Sequence, residues 1–254
     1  MIPFFQFNTI SFGPITIQVW GLLVACGLLV ASLIIWKRSK RLGFNPEQLL
    51  DMVLWMVVLG FVFSRVFHVV FYDLGFYISN PIDVLKIWEG GLSSFGGIFG
   101  AGVGVFLFIK KHKISKLDLL VYLDIMTFGA VFGWMIGRLG CFAIHDHWGI
   151  PCSCPLAINT PEGGRLDMAL LEILGMIPLA FIFLFFRKRK MFAGWFLAVL
   201  FVYYGVLRFI LDFFRATDIV YADARYFGLT PAQYFAIVLV GIGIYILWGR
   251  KNKK

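Results

Sequence analysis

The stretch DLLVYLDIMTFGAVFGWMIGRLGCFAIHDHWGIPCSC, residues 118–154, decides how this chain must fold. Its first part, 118–137, is a long, mostly apolar run of the length that crosses a hydrocarbon core, which takes about 20 residues of helix. Directly behind it come Arg138, His145, Asp146, His147 and three cysteines, at 141, 152 and 154. A membrane helix that ends in a polar, chemically equipped segment is the reading to test on the rest of the chain.

The rest agrees. The 254 residues are 60% hydrophobic and only 15% charged, with a mean hydropathy of +0.86. A water-soluble domain of this size could not cover so much apolar surface. Further runs lie near 15–36, 49–72, 92–109, 168–186, 193–212 and 230–248, which with 118–137 makes seven spans. They are too continuously apolar for barrel strands, and the bilayer otherwise admits only helices, so the expectation is an all-α polytopic membrane protein with no sheet. No linker or low-complexity tract divides it, so residues 1–254 read as one membrane-embedded domain. The lead MIPFFQFNTISFGP has neither a basic n-region nor a small-residue cleavage site, and a removable signal peptide is not expected.

Orientation follows from lysine and arginine. Clusters at 37–41, 110–116, 187–190 and 250–254 hold sixteen of the 23 basic residues, and alternation of seven spans puts them all on one side. The positive-inside rule makes that side the cytoplasm, with the N-terminus outside and the C-terminus inside. The formal charge of +9 is then a topology signal, and no nucleic-acid partner is needed to explain it.

The remaining basic residues are Arg65, Lys86, Arg138, Arg165, Arg208, Arg215 and Arg225. Arg65, Arg138 and Arg208 fall within or at the end of spans, toward the outer leaflet. An ionised arginine at membrane depth costs about 2.5–3.5 kcal/mol on insertion scales, so each needs a partner or a wet cavity. Three at similar depth favour a shared anionic ligand, and a phosphate matches the guanidinium fork. Internal pairing is the competing reading, and Asp212, one turn beyond Arg208, is placed for it. In IWEGGLSSFGGIFGAGVG, residues 87–104, Glu89 precedes glycines that include Gly96 and Gly97. These allow close approach of a ligand, and the small-xxx-small spacing of 96, 100 and 104 equally suits helix packing.

Order and motif together resemble the prolipoprotein diacylglyceryl transferase family over nearly the whole chain. The segments carrying the resemblance are FGPITIQVWGLL, SRVFHVVFYDLGFYISNP, IWEGGLSSFGG, GRLGCFAIHDHWG, LRFILDFFRATD and GLTPAQYFAI. The resemblance implies transfer of the diacylglyceryl group of phosphatidylglycerol to the thiol of a lipobox cysteine in a prolipoprotein signal peptide. A thioether forms and glycerol phosphate leaves, with no cofactor, in the bacterial inner membrane and at its outer leaflet. It assigns substrate contact to Arg65, Glu89, Gly96, Gly97, Arg138, Gly149 and Arg208, and catalysis to Arg138, Asp146, Arg208 and Asp212. Arg165 and Glu172, in GGRLDMALLE, resemble a further, altered motif.

The chain departs from the family's usual residues at several positions. Cys141 replaces an asparagine, Asp146 and Asp212 replace glutamates, Trp20 a tyrosine, and Phe95 a histidine proposed as base. Position 95 cannot titrate, so the acid–base candidates become His145, Asp146 and His147, with His147 accepting the thiol proton. Zinc also takes such side chains, but its usual spacings are C-x2-4-C and H-x3-5-H, whereas both pairs here stand two apart, and no metal is expected. A direct Cys152–Cys154 bridge would be strained. A bridge from Cys141 to either is the better geometry if one forms, and free thiols are the default. A metal-dependent hydrolase built on the His-Asp-His loop and a seven-helix transporter or receptor are the alternatives in other classes.

Overall fold

The computed structural model describes residues 1–13, 15–86, 90–219 and 222–251. Glu89, Lys253 and Lys254 lie outside the described residues. Among the described residues, seven helices are long and apolar enough to cross a membrane, one for each expected span. They are α1 (Val19–Leu42), α2 (Pro46–Phe71), α4 (Ser94–His112), α5 (Lys116–Ile144), α6 (Met168–Phe186), α7 (Trp195–Leu211) and α8 (Pro231–Lys251), with a short α3 (Leu74–Ser79) between α2 and α4. Many large apolar side chains point outward, among them Phe181, Phe185 and Tyr245, as helices facing lipid require.

The expectation of no sheet is corrected. Strands β1 (Ile2–Pro3), β5 (Ala157–Thr160), β6 (Gly163–Asp167) and β4 (Trp148–Pro151) form a four-stranded sheet in that spatial order. Only β1 and β5 run parallel; β5–β6 and β6–β4 are antiparallel. Strands β2 (Thr9–Phe12) and β3 (Ile15–Gln18) make a separate hairpin. The helix-or-barrel constraint holds only where water is absent. These strands are drawn from the lead, from the first four residues of the expected 15–36 run, where α1 begins only at Val19, and from the 145–167 connection, where ordinary ladder pairing is open to the backbone.

By packing, the chain divides into residues 35–122 and residues 1–34 with 123–254. In the first unit, α2 starts at Asn45, whose side chain accepts from the Glu47 and Gln48 amides, with Pro46 at the first helical position. Its partner α4 starts at Ser93, tied to α2 by Ser93 N–H to Ser64 O at 3.0 Å and Ser64 Oγ to Ser93 O at 2.8 Å. Gly96, Gly100 and Gly104 are buried along α4. A Cβ on Gly100 would stand 2.2 Å from Leu59 O on α2. The glycine spacing therefore does the work of close helix packing, which in lipid relies on van der Waals contact.

Arg65 belongs to this unit and makes a clasp. Its Nε donates to Val84 O, one terminal nitrogen to Gly90 O and Gly91 O, and the other to Asp83 O and Lys86 O, at 2.6–3.3 Å. A guanidinium has five N–H donors, and all of them serve backbone carbonyls of the connection before α4. With His68 and Tyr77, Arg65 also lines a cavity of about 250 Å³.

The second unit is centred on α5, α6 and α7. Phe128, Val131, Met176, Leu179, Phe183 and Phe196 form its buried cluster, with Phe183 edge-on to Phe196 at 5.1 Å. Helix α7 opens on Gly194, which has no side chain to cap it; Asp124 of α5 supplies the acceptors instead, to Gly194 N–H at 2.7 Å and Leu197 N–H at 2.9 Å. A carboxylate at the positive end of a helix is favourable, and more so out of water.

The α2–α4 contact gives a first test. Gly100→Val should lower the thermal midpoint of the detergent-solubilised protein, by the equivalent of at least about 1–3 kcal/mol of overpacking. An unchanged midpoint would contradict the contact.

Candidate functional site

The second unit brings Arg138 and Arg208 together on one carboxylate. Glu172 lies one turn into α6 and is 1% exposed. Its Oε1 accepts from Trp134 Nε1 at 2.7 Å and from the Tyr204 hydroxyl at 3.1 Å. Its Oε2 meets Arg138 at 2.9 Å and Arg208 at 3.3 Å. Three membrane helices, α5, α6 and α7, thus converge on one buried acid. Every lone-pair direction is used, which is the condition for a buried charge to be tolerated.

The set continues outward. Arg208 also pairs with Asp212 at 3.2 Å, the internal partner that the one-turn spacing proposed. Asp212 is 1% exposed and accepts from the Thr230 hydroxyl. Gln233 donates to Phe209 O at 3.1 Å and accepts from the Thr230 amide, so the GLTPAQ segment locks the end of α7. Arg215 reaches Asp223 at 2.6 Å and Asp212 at 3.8 Å, and Arg225 donates to the Asp212 carbonyl. Burial first, and the neighbouring Arg208 second, hold Arg215 below the ordinary arginine value, against the pull of the two aspartates. Four guanidinium groups against three carboxylates in this linked set leave room for an anion. Among the described residues the buried Nε–H of Arg138 has no hydrogen-bond partner.

Gly149 holds the sheet to the end of α7. It bridges to Arg215, its carbonyl accepts from Arg165, and a Cβ would stand 2.7 Å from Phe214 O. Arg165 is otherwise engaged with exposed Asp218. Both residues frame the site.

His145 requires a correction. Its ring is enclosed by Phe4, Phe5, Phe142 and Trp148 at 4.7–5.6 Å, and its Nδ1 lies 2.7 Å from Asp167, with both side chains fully buried. Asp167 in turn caps α6 through the Leu170 amide. Burial raises the Asp167 carboxyl above its ordinary value, opposed by the hydrogen bonds from His145 and Leu170. An imidazole so enclosed has no path to a substrate thiol; it fixes the turn between α5 and β4. His147 is different. It is part-exposed and hydrogen-bonded through Nδ1 to Asp146.

The cysteines also depart from expectation. Cys152 and Cys154 are joined as a disulfide with Cα atoms 5.4 Å apart, within the range such a bridge spans. Cys141 is a buried free thiol inside α5, and Arg138 donates to its sulfur at 3.7 Å. Its place in the helix faces it to the arginine cluster. Cys141, Asp146 and His147 bring their donor atoms within 4.8 Å of one another. Arg65, Gly96 and Gly97 belong to the other unit, as described above.

Glu172 is the residue that sequence reading weighed too lightly. Its signal was present: it is the one acid in MALLEILGMIPLAFIFLFF, and ionisable groups inside spans are functional by default. Removing its charge strands two buried arginines, so Glu172→Gln should destabilise the fold by about 3–5 kcal/mol, read as a lowered thermal or denaturant midpoint of purified protein. Wild-type stability would contradict the grip described here.

Comparison with known proteins bears on what this site does. The family described as prolipoprotein diacylglyceryl transferase matches residues 8–249. The chain is similar to proteins named phosphatidylglycerol–prolipoprotein diacylglyceryl transferase from several bacteria. That of Ehrlichia canis is 30% identical over 243 residues, 92% of each chain. That of Pseudomonas aeruginosa strain LESB58 is 31% identical over 251 residues, covering 94% of this chain and 91% of the relative. That of Nitratidesulfovibrio vulgaris is 30% identical over 250 residues, 94% and 91%. A multi-pass membrane protein with this match along almost its entire length belongs to the prolipoprotein diacylglyceryl transferase family.

Proposed function

We propose that this chain, acting as a single transferase domain, moves the diacylglyceryl group of phosphatidylglycerol onto the thiol of a lipobox cysteine in a prolipoprotein signal peptide. The observation that carries the assignment to this site is the Glu172 carboxylate holding Arg138 and Arg208 side by side, with the buried Arg138 Nε–H left over.

The reaction replaces a carbon–oxygen bond by a carbon–sulfur bond. Sulfur attacks the glyceryl carbon, and the oxygen bound to phosphorus leaves with the bonding electrons, so a phosphodiester with one negative charge becomes a monoester with a growing second one. Groups fixed in advance where that charge develops lower the barrier without reorganising. Arg138 and Arg208 are such groups: Glu172 and Asp212 hold them in place, and the surrounding helices exclude water. Asp212 and Glu172 position; the two guanidinium groups touch the phosphate. Gly149 contributes through the backbone it organises. The acceptor thiol needs help to ionise, since a free thiol near pKa 8.5 is mostly protonated at neutral pH. His147 with Asp146 provides it, because both are accessible and adjacent to the Arg138 end of the site through Cys141.

The basic clusters at the ends of α1, α4, α6 and α8 face the cytoplasm by the positive-inside rule. The site then lies toward the outer leaflet of the inner membrane, where exported prolipoproteins arrive. Family membership leaves the hydrolase and the transporter or receptor alternatives without support.

The direct test is complementation of a strain depleted of its own transferase, with lipidation of a model prolipoprotein as readout. The intact chain should restore it, and failure of a well-inserted chain would contradict the reading. Arg138→Lys and Arg208→Lys keep the charge and lose the fork, and each should lower kcat/KM for transfer by about 100- to 1000-fold, the usual loss for one fixed transition-state donor.

A further inference from the structure

Cys141 and Asp146, two of the positions where this chain departs from the family's usual residues, meet His147 in space. Cys141 stands in the last turns of α5, Asp146 and His147 in the turn that follows, and their donor atoms all lie within 4.8 Å of one another. The sequence could not show this trio, because in it His145 and His147 look alike and all three cysteines of the segment look available. His145 is sealed in its aromatic box and the other two cysteines are bonded to each other. What remains is one sulfur, one imidazole and one carboxylate, converging from one helix end.

We infer that Cys141, Asp146 and His147 bind a divalent transition-metal ion of the zinc class, which holds the incoming cysteine thiol as a thiolate for diacylglyceryl transfer. The inference rests on the transferase reading for the role of the ion, and on the geometry alone for its binding.

Five considerations support it. The donor set suits the ion: thiolate, imidazole and carboxylate are the ligands that zinc takes. The separation suits it too. Donors at about 2.0–2.3 Å from a common ion stand roughly 3.5 Å apart, so closure needs side-chain movement of about an ångström. Charge is balanced, because the Cys141 thiolate and Asp146 together offset a dication, while nearby Arg138 is already paired with Glu172 at 2.9 Å. Arg138 donates to the Cys141 sulfur at 3.7 Å, the kind of outer contact that orients a metal-bound thiolate. Finally, three protein ligands leave the fourth tetrahedral position open, the mark of a catalytic zinc site. Asp146 and His147 keep 33% and 28% side-chain exposure, so that position is reachable.

The chemistry answers a need. Position 95 is Phe, which cannot take a proton, yet the reaction consumes a thiol and forms a thioether. A thiol that coordinates a dication is deprotonated outright. The S–H proton passes to water, the bound sulfur attacks the glyceryl carbon, and the carbon–oxygen bond breaks with its electrons on the departing phosphate. No oxidant, reductant or further reactant is required. His147 and Asp146 thus serve the thiol through the ion rather than by taking its proton directly.

The test uses the full-length chain purified in detergent, stripped with chelator and titrated with cobalt(II) in the absence of lipid and peptide. One ion should bind per chain, with a sulfur-to-cobalt charge-transfer band. The band should be lost in Cys141→Ser and weakened in Asp146→Asn and His147→Gln. It should persist in the Cys152→Ser/Cys154→Ser double variant. Absence of the band in monodisperse wild-type protein, or its survival in Cys141→Ser, would overturn the site. Transfer activity should fall on chelation and return with zinc or cobalt. Full activity of the stripped enzyme would overturn the role in thiol activation while leaving the transferase reading intact, whereas failure of the metal-loaded enzyme to transfer would count against that reading and not against the site.

Discussion

One buried carboxylate organises the unit formed by residues 1–34 and 123–254. Glu172 sits where water cannot solvate it, and an acid there is affordable only if its oxygens are fully engaged. Trp134 and Arg138 from α5, and Tyr204 and Arg208 from α7, engage them. The same contacts join three helices and hold two guanidinium groups close together. Stability and chemistry are therefore not separable at this point: the charge that fixes the arginines is the one that makes their burial tolerable. The arrangement is completed from outside by Asp212, held by Thr230, and by the sheet, whose β4–β6 pairing seats Gly149 against the end of α7.

Much of the fold could be read from the chain because the bilayer imposes a simple rule. An apolar run of about 20 residues in lipid has to be a helix, and each of the seven runs is one. What hydropathy could not show is the structure that lipid does not dictate. The strands lie in polar or mixed stretches where ladder pairing depends on distant partners, as between Ile2 and Ile158. The spacing of Gly96, Gly100 and Gly104 suited helix packing and ligand approach equally in the sequence, and the structure uses it to set α4 against α2.

The site was partly legible. Arg138, Arg208 and Asp212 stood out because charges inside apolar runs are costly, and the Arg208–Asp212 spacing foretold their pairing. Arg65 stood out for the same reason, but cost alone cannot say who satisfies a charge, and here the partners are carbonyls of a nearby connection. His145 and His147 looked equivalent in sequence, two residues apart in one polar segment. The fold separates them: a left-handed backbone at His145, φ 53°, turns its ring into the aromatic box and leaves His147 at the surface. Adjacent residues with opposite environments are beyond a reading by composition or spacing.

The central claim is that Glu172 acts through the arginines it holds, and a double-mutant cycle addresses it most directly. Transfer rates would be measured for Glu172→Gln, Arg138→Lys and the double variant, each on the correctly folded fraction of purified protein. The account predicts strong non-additivity, with the double variant little worse than the poorer single one and a coupling of about 1–3 kcal/mol. Additive losses, with no coupling between the two positions, would contradict it.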